Sequence, residues 1–313
     1  MKQRPHCSLT DLRCIILSPH QWLVAMILLF WINCAGAVEV VAGTNSYYNS
    51  SNNISGTVTG WSSGWGTGNT NTGWDYVGSV NGASGVYLGN GWVLTAGHVG
   101  AGNFTLAGNV YDYTGSSYTF PNGISGTNLA DLTLFRISTT SISGLNLAMQ
   151  SLTISSNAPN AFSNFNTGSQ VVMIGNGGGK SWGVNTVTTN NIGVTPGGTS
   201  YISIDFATAH GTTTSFTRSI TNNAEFVVGD SGGGDFVDVS GNWHLAGINE
   251  AVDVNGGSYM IQLSSYDSQI QSIITAVVPE PDLFVLVGLG VLVIFWKSII
   301  ERSKNKDQKS RFF

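Results

Sequence analysis

Gly229-Asp230-Ser231-Gly232-Gly233-Gly234 is the stretch of sequence that decides the fold, because it surrounds one serine with glycine and a carboxylate. Glycine lets the backbone adopt positive φ and approach a substrate closely, and it allows successive N–H groups to point into one concavity. A serine in such a turn holds its hydroxyl beside an anion-binding nest, as a nucleophile requires when its product is an oxyanion. The alternative interpretation is a flexible glycine loop.

Two segments upstream carry the residue types that activate a serine. Trp92 to Val99 reads WVLTAGHV, a strand that ends in small residues and then presents His98. Asp131 opens the apolar strand DLTLFRI, and a carboxylate that leads into a buried strand is costly unless a donor such as a histidine N–H satisfies it. Each segment alone is weak evidence for a catalytic site, since most histidines after strands are structural and Asp is common at strand entries.

The three segments in this order resemble the trypsin-like serine proteases. T-A-G-H-V at His98 is similar to the T-A-x-H element of that family, A-D-L-T-L at Asp131 to its D-[IL]-A-L strand, and G-D-S-G-G at Ser231 to its nucleophile motif. The order His, Asp, Ser differs from that of subtilisins and α/β-hydrolases. The resemblance runs from about Trp74 to Ile274.

The resemblance implies an all-β fold of two six-stranded antiparallel β-barrels with a short C-terminal helix, and a site in the crevice between the barrels. It implies that Ser231 is the nucleophile, that His98 is the general base and acid, and that Asp131 orients the imidazole. The N–H groups of Gly229 and Ser231 would form the oxyanion hole. No metal or organic cofactor is required, and the expected reaction is hydrolysis of protein or peptide substrates through an acyl-enzyme.

Two acidic residues are candidates for substrate binding. Glu225 precedes Ser231 by six residues, where the family has the base of its primary specificity pocket, and an acidic base would favour Arg or Lys in the substrate. Glu250 begins Glu250-Ala251-Val252, which replaces the substrate-binding Ser-Trp-Gly of the family. The alternative for both is a solvated carboxylate. The sequence leaves open what pairs with Asp230, which receives a new N-terminus in family members that mature by proteolysis.

Residues 1–37 have the features of a signal peptide. A basic region precedes the apolar run WLVAMILLFWI, and Ala35-Gly36-Ala37 predicts cleavage between Ala37 and Val38. The alternative is an uncleaved membrane anchor, although the run is short for a bilayer span. All three cysteines precede the predicted cleavage point, so the exported domain is expected to have no disulfide, thiolate metal site or cysteine nucleophile.

Residues 279–313 resemble the PEP-CTERM sorting signal of Gram-negative bacteria. Pro279-Glu280-Pro281 is followed by the apolar run LFVLVGLGVLVIFW and a basic tail. The resemblance implies a transmembrane segment, processing by an exosortase, and an exported protein that is anchored through its C-terminus and then released to the cell surface or matrix. The alternative is an ordinary C-terminal membrane anchor.

The remaining chain divides into a Gly/Asn/Ser/Trp-rich segment over residues 38–73 and a protease domain over residues 74–278. Between Val38 and Pro281 the chain has three basic and thirteen acidic residues, so nucleic acid is not an expected partner. The apolar runs on either side of Gly89-Asn90-Gly91 predict a hairpin, and isoleucines at helical spacing after Asp267 predict a helix.

Two functions compete with the endopeptidase. The first is a non-catalytic protease-fold protein that binds or adheres to the polysaccharide matrix, because tryptophans that follow glycine at Trp61, Trp65 and Trp74 would stack on sugars if they were exposed; otherwise they pack against the domain. The second is an esterase that uses the same triad.

Overall fold

The computed structural model describes residues 38–42, 48–49, 51–124, 128–163, 166–208, 223–254, 256–276 and 296–297. The predicted signal peptide lies outside these ranges, and so does the predicted sorting signal apart from residues 296 and 297. Within the ranges the chain forms eighteen β-strands and few helical turns. None of the helices in this described part is both long and apolar enough to cross a membrane.

The N-terminal half of the domain forms one curled antiparallel sheet. Two short strands precede it, β1 (Glu39–Ala42) and β2 (Tyr48–Asn49). The sheet consists of β3 (Val77–Val80), β4 (Ala83–Gly89), β5 (Trp92–Ala96), β6 (Phe104–Leu106), β7 (Asn109–Tyr111), β8 (Tyr113–Pro121) and β9 (Leu129–Ile137). The strand order is β7-β6-β3-β4-β5-β9-β8.

This first sheet is a half-barrel, whereas the sequence predicts a closed six-stranded barrel. Its edge strands β7 and β8 follow each other along the chain but share no ladder in the described part. The physical reason is strand length, because β6 and β7 have three residues each and offer few hydrogen bonds with which to close the sheet.

The C-terminal half forms the closed barrel that the sequence predicts. After the short hairpin of β10 (Phe162–Ser163) and β11 (Asn166–Thr167), the strands are β12 (Gln170–Gly175), β13 (Ser181–Val194), β14 (Ser203–Thr208), β15 (Asn223–Glu225), β16 (Gly234–Val239), β17 (Asn242–Val252) and β18 (Ser258–Gln262). The order β12-β16-β17-β18-β14-β13 is closed by pairing of β13 with β12, so six strands complete the barrel. Strand β2 extends it beside β13, and β15 pairs with β1.

The predicted local elements are present. Asn90 and Gly91 have φ of +51° and +79°, as a two-residue turn between β4 and β5 requires. The predicted helix is α2 (Asp267–Ala276), which follows a 3₁₀ turn at Leu263–Ser265 and buries Ile270. The other helical elements are a 3₁₀ turn at Ile54–Gly56 and α1 (Gly73–Tyr76).

The tryptophan-rich segment is part of the hydrophobic core. Trp61 is fully buried and Trp65 is 8% exposed. The Trp61 ring lies 4.7 Å from Trp243 and 5.8 Å from Phe236, measured between centroids, and both partners belong to the closed barrel. Trp61 and Trp65 therefore bury apolar surface and are not available to stack on sugars. Trp74 is half-buried, with Lys180 Nζ 4.7 Å from its ring centroid.

Candidate active site

His98 and Asp131 are in direct contact where two neighbouring strands meet. The pairing of β5 with β9 sets Ala96 opposite Leu132, so the residues that follow β5 lie beside Asp131. The His98 backbone N–H donates to Asp131 Oδ1 at 2.7 Å, and His98 Nδ1 lies 2.6 Å from Asp131 Oδ2. A Cβ on Gly97 would lie 2.9 Å from Asp131 Oδ1, so the small residue before the histidine permits this approach.

The Asp131 carboxyl controls the protonation of His98. Asp131 is fully buried, while the His98 side chain is 30% exposed. The hydrogen bond from Asp131 raises the pKa of His98, and partial burial of the imidazole acts against it. A carboxylate is an acceptor only, so the ring hydrogen belongs on Nδ1, which leaves Nε2 free to accept a proton.

The loop around Ser231 has the backbone shape that its glycines predict. Gly229 and Gly232 have φ of +104° and +84°, and a Cβ on Gly232 would lie 2.1 Å from Ser84 O. The Gly232 N–H donates to Asn249 O at 2.8 Å. The N–H groups of Gly229 and Ser231 donate to no backbone carbonyl in the described part of the chain, so both are available to a ligand.

Ser231 and His98 line one cavity of about 370 Å³ between the two sheets. No hydrogen bond joins Ser231 Oγ to His98 in the structure, although both residues are described. Of the sequence-predicted triad, the structure therefore brings His98 and Asp131 into contact and places Ser231 on the same cavity wall. Catalytic hydrogen bonds are often long before substrate binds.

The two predicted substrate-binding carboxylates lie in different places. Glu250 lines the cavity but is only 3% exposed, and its Oε1 accepts a hydrogen bond from the Ser203 hydroxyl at 2.6 Å. Glu225 lies in β15 with Glu39 as its cross-strand neighbour. The cavity wall on that side is formed by residues 226–229 and does not include Glu225.

Sequence reasoning missed the partner of Asp230. The Val38 backbone N–H donates to Asp230 Oδ2 at 2.6 Å, and the Val38 side chain is fully buried. Asp230 also accepts from the Val227 N–H at 2.9 Å. Burial raises the pKa of Asp230 to about 6, and the two backbone donors act against this rise. The sequence signal was present, because Val38 directly follows the predicted cleavage point.

The fold and the site define a class of protein. Two antiparallel sheets with a histidine–carboxylate pair, and a serine in a glycine turn on the same cavity, are the features of chymotrypsin-fold serine proteases. The sequence model of the family described as Trypsin matches residues 64–270. The chain belongs to this family, which implies protein or peptide substrates.

Solved structures of proteases are similar to the chain at low identity. The inactive form of the Rv3671c protease is 14% identical over 64% of this chain and 89% of that chain, with a TM-score of 0.43. The active form of Rv3671c from M. tuberculosis is 15% identical over 62% and 78%, with a TM-score of 0.42. The HtrA-type protease AlgW with decapeptide is 23% identical over 62% and 51%, with a TM-score of 0.41. No curated protein matches the sequence.

Proposed function

We propose that the protein is a serine endopeptidase with His98, Asp131 and Ser231 as its catalytic triad. The observation that carries the proposal is the fully buried Asp131 carboxyl, which accepts both the backbone N–H and Nδ1 of His98. This double contact holds His98 beside Asp131 and leaves Nε2 without a partner on Asp131, and His98 lines the cavity that Ser231 also lines. Family membership supports the same reaction.

Each step of the proposed reaction uses a side chain or backbone N–H group of the site. His98 Nε2 takes the Ser231 hydroxyl proton as Oγ attacks the substrate carbonyl, and then protonates the leaving amine. Asp131 stabilises the imidazolium that forms between these steps. The N–H groups of Gly229 and Ser231 donate to the oxyanion, a contribution of about 3–4 kcal/mol per donor in related sites. Water then hydrolyses the acyl-enzyme.

The cavity favours an apolar substrate side chain. Its walls include Phe226, Val227, Val228, Ala251 and Val252, and Val228 is 97% exposed. Apolar walls favour apolar groups. The one carboxylate among the described lining residues, Glu250, is only 3% exposed and accepts from Ser203, so a basic substrate side chain would find no exposed carboxylate there to pair with. A basic side chain held by Glu225, which the sequence allows, is therefore not part of the proposed function.

We also propose that the protein is exported and cleaved before Val38. Cleavage between Ala37 and Val38 would give the Val38 nitrogen a positive charge beside Asp230. The 2.6 Å contact of these groups supports this cleavage point, because an ammonium compensates a buried carboxylate far better than a peptide N–H does. The C-terminal signal would hold the protein in the inner membrane until an exosortase transfers it to the cell surface or matrix.

A fluorophosphonate serine-hydrolase probe tests the proposal. We expect labelling of the wild type and none of Ser231→Ala or His98→Ala, while His244→Ala, a half-buried histidine outside the site, labels like the wild type. A folded wild type that does not label contradicts the proposal and favours a non-catalytic binding protein. Peptide and ester substrates compared side by side then separate an endopeptidase from an esterase.

A further inference from the structure

A hydroxyl connects Asp131 to a second buried carboxyl. Ser203 is fully buried at the start of β14, and its Oγ accepts the Asp131 backbone N–H at 2.9 Å. The same hydroxyl donates to Glu250 Oε1 at 2.6 Å. Because Ser203 both accepts and donates, a change at Glu250 is transmitted to the backbone of Asp131.

A third carboxyl completes the group. Asp205 lies two residues after Ser203 on the same strand, so both side chains point to the same face, and it is fully buried. The carboxyl groups of Asp205 and Glu250 interact, and this interaction raises the pKa of Asp205. No N–H or hydroxyl of the described residues donates to either Asp205 oxygen or to Glu250 Oε2.

Two carboxyl groups can share a hydrogen bond only if one of them keeps its proton. Burial raises the pKa of Asp205 well above its usual range. Burial also raises the pKa of Glu250, to about 7, although the hydrogen bond from Ser203 acts against that rise. The Ser203 hydroxyl donates to Glu250, and no N–H or hydroxyl of the described residues donates to Asp205, so the negative charge of the pair is better stabilised on Glu250.

Several ionisable groups face this pair. The charge of Asp131 opposes ionisation of Glu250, and a charged His98 favours it. Asp235 disfavours ionisation of Asp205, and the hydroxyls of Tyr259 and Tyr266 lie within the field of Asp205. His98 and Glu250 affect each other, because the charge of Glu250 in turn favours the protonated form of His98.

We propose that Glu250 is a positioning residue of the active site. The Ser203 hydroxyl links its carboxylate to the Asp131 backbone, so Glu250 orients Asp131 and adds a second negative charge that stabilises the imidazolium of His98. The inference rests on the proposed function. It assigns Glu250 to the triad rather than to the substrate pocket, and it gives a role to a carboxylate that stands where related proteases carry serine.

The negative charge of Glu250 affects the rate in opposite ways, before substrate binds and during the deprotonation of Ser231. It stabilises the imidazolium that forms as Ser231 is deprotonated, so it raises the maximal rate. It also keeps His98 protonated to higher pH before substrate binds, so activity begins at a higher pH than it would without Glu250. A residue with a purely structural role would change the rate equally at every pH.

The test measures the rate of fluorophosphonate labelling against pH on the full chain, expressed with its own export signal. Glu250→Gln removes the charge but keeps an oxygen that accepts from Ser203. We expect its acidic limb to move to lower pH and its maximal rate constant to fall about tenfold, as for the loss of one partly buried charge interaction. Asp238→Asn removes an exposed carboxylate of the same barrel and leaves both quantities unchanged.

An unshifted acidic limb in Glu250→Gln overturns the inference, even if the rate falls. A wild type that does not label at all contradicts the proposed function instead, so the two failures are distinguishable. If Glu250→Gln does not fold, the inference is tested by an NMR titration of the His98 ring resonances in the wild type. They should titrate in two steps because Glu250 ionises nearby, and a single step overturns the inference.

Discussion

The backbone nitrogen of Val38 lies 2.6 Å from Asp230 Oδ2, although 192 positions separate the two residues in the sequence. Asp230 immediately precedes Ser231, so the residue at the predicted cleavage point contacts the loop that carries the proposed nucleophile. Strand β1 continues from this contact along β15, which holds Val38 in place. The position of Val38 and the shape of the Ser231 loop are therefore linked.

This contact predicts that residues left ahead of Val38 inactivate the enzyme. A chain that starts at Val38 should label with fluorophosphonate, and one with Gly36 and Ala37 retained should label about a hundredfold more slowly, since small displacements of reacting groups cost that much. Both chains should fold, because the β1–β15 pairing is unchanged, and they differ in whether an ammonium or a peptide N–H faces the buried Asp230 carboxyl. Asp230→Asn in the Val38 chain should behave like the extended chain, and equal labelling of extended and processed chains would refute the link.

The buried carboxyls predict that stability falls as pH rises. Burial raises the pKa of Asp235 well above its usual range, and neither of its oxygens has a hydrogen-bond partner in the described part of the chain. The unfolded chain releases this proton near pH 4 while the folded protein retains it, so each such group lowers the free energy of unfolding by up to about 1.4 kcal/mol per pH unit above that point.

Thermal unfolding between pH 5 and pH 8 measures this dependence. Asp235→Asn has no proton to lose, and we expect a shallower fall in Tm with pH than in the wild type. Asp238→Asn, which changes an exposed carboxylate three residues further along β16, should keep the wild-type slope. Equal slopes for Asp235→Asn and the wild type would show that Asp235 is not the group that titrates.

The tryptophan-rich segment predicts a large stability effect at Trp61. The indole is fully buried and lies edge-on to the rings of Trp65, Trp243 and Phe236. Trp61→Ala should lower the free energy of unfolding by about 3–5 kcal/mol, as for other large core truncations. Urea unfolding measures the loss. Tyr118→Ala, at a position that is 37% exposed, is the matched control and should cost much less.

The sequence predicted those parts of the fold and site that depend on local pattern. Glycine spacing predicted the loop at Ser231, and the resemblance to trypsin-like proteases implied that Asp131 orients His98. The closed second barrel followed from family resemblance. The resemblance also implied a closed first barrel, which was wrong, because closure depends on how far β6 and β7 extend and not on the motifs.

The remaining features depend on burial and on distant pairing. Glu250 was predicted to bind substrate because it opens the segment that lines the cleft, but its carboxylate accepts from Ser203 inside the protein. The spacing of apolar residues indicates which face of a strand is buried. It does not indicate that the Asp205 carboxyl interacts with the Glu250 carboxyl. The predicted cleavage point singled out Val38 as a new N-terminus, but its contact with Asp230 also requires knowledge that β1 reaches β15, which no local pattern contains.

Replacing Gly175 with alanine should reduce activity without unfolding the protein. It ends β12, and a Cβ there would lie 1.9 Å from Asp230 Oδ1. The Asp230 side chain must therefore move away from Val38 in Gly175→Ala, and the Ser231 loop moves with it. We expect fluorophosphonate labelling to fall about a hundredfold while far-UV circular dichroism stays that of the folded barrel, because β12 keeps its partners β13 and β16.

Gly56→Ala is the matched control, because nothing lies within 4 Å of a Cβ at that position. It should label like the wild type. The two variants make the same chemical change, so a difference between them reports the space beside Asp230 and not the added methyl group itself. If Gly175→Ala labels at the wild-type rate, the Ser231 loop tolerates displacement of Asp230, and the contact of Val38 with Asp230 does not control the site.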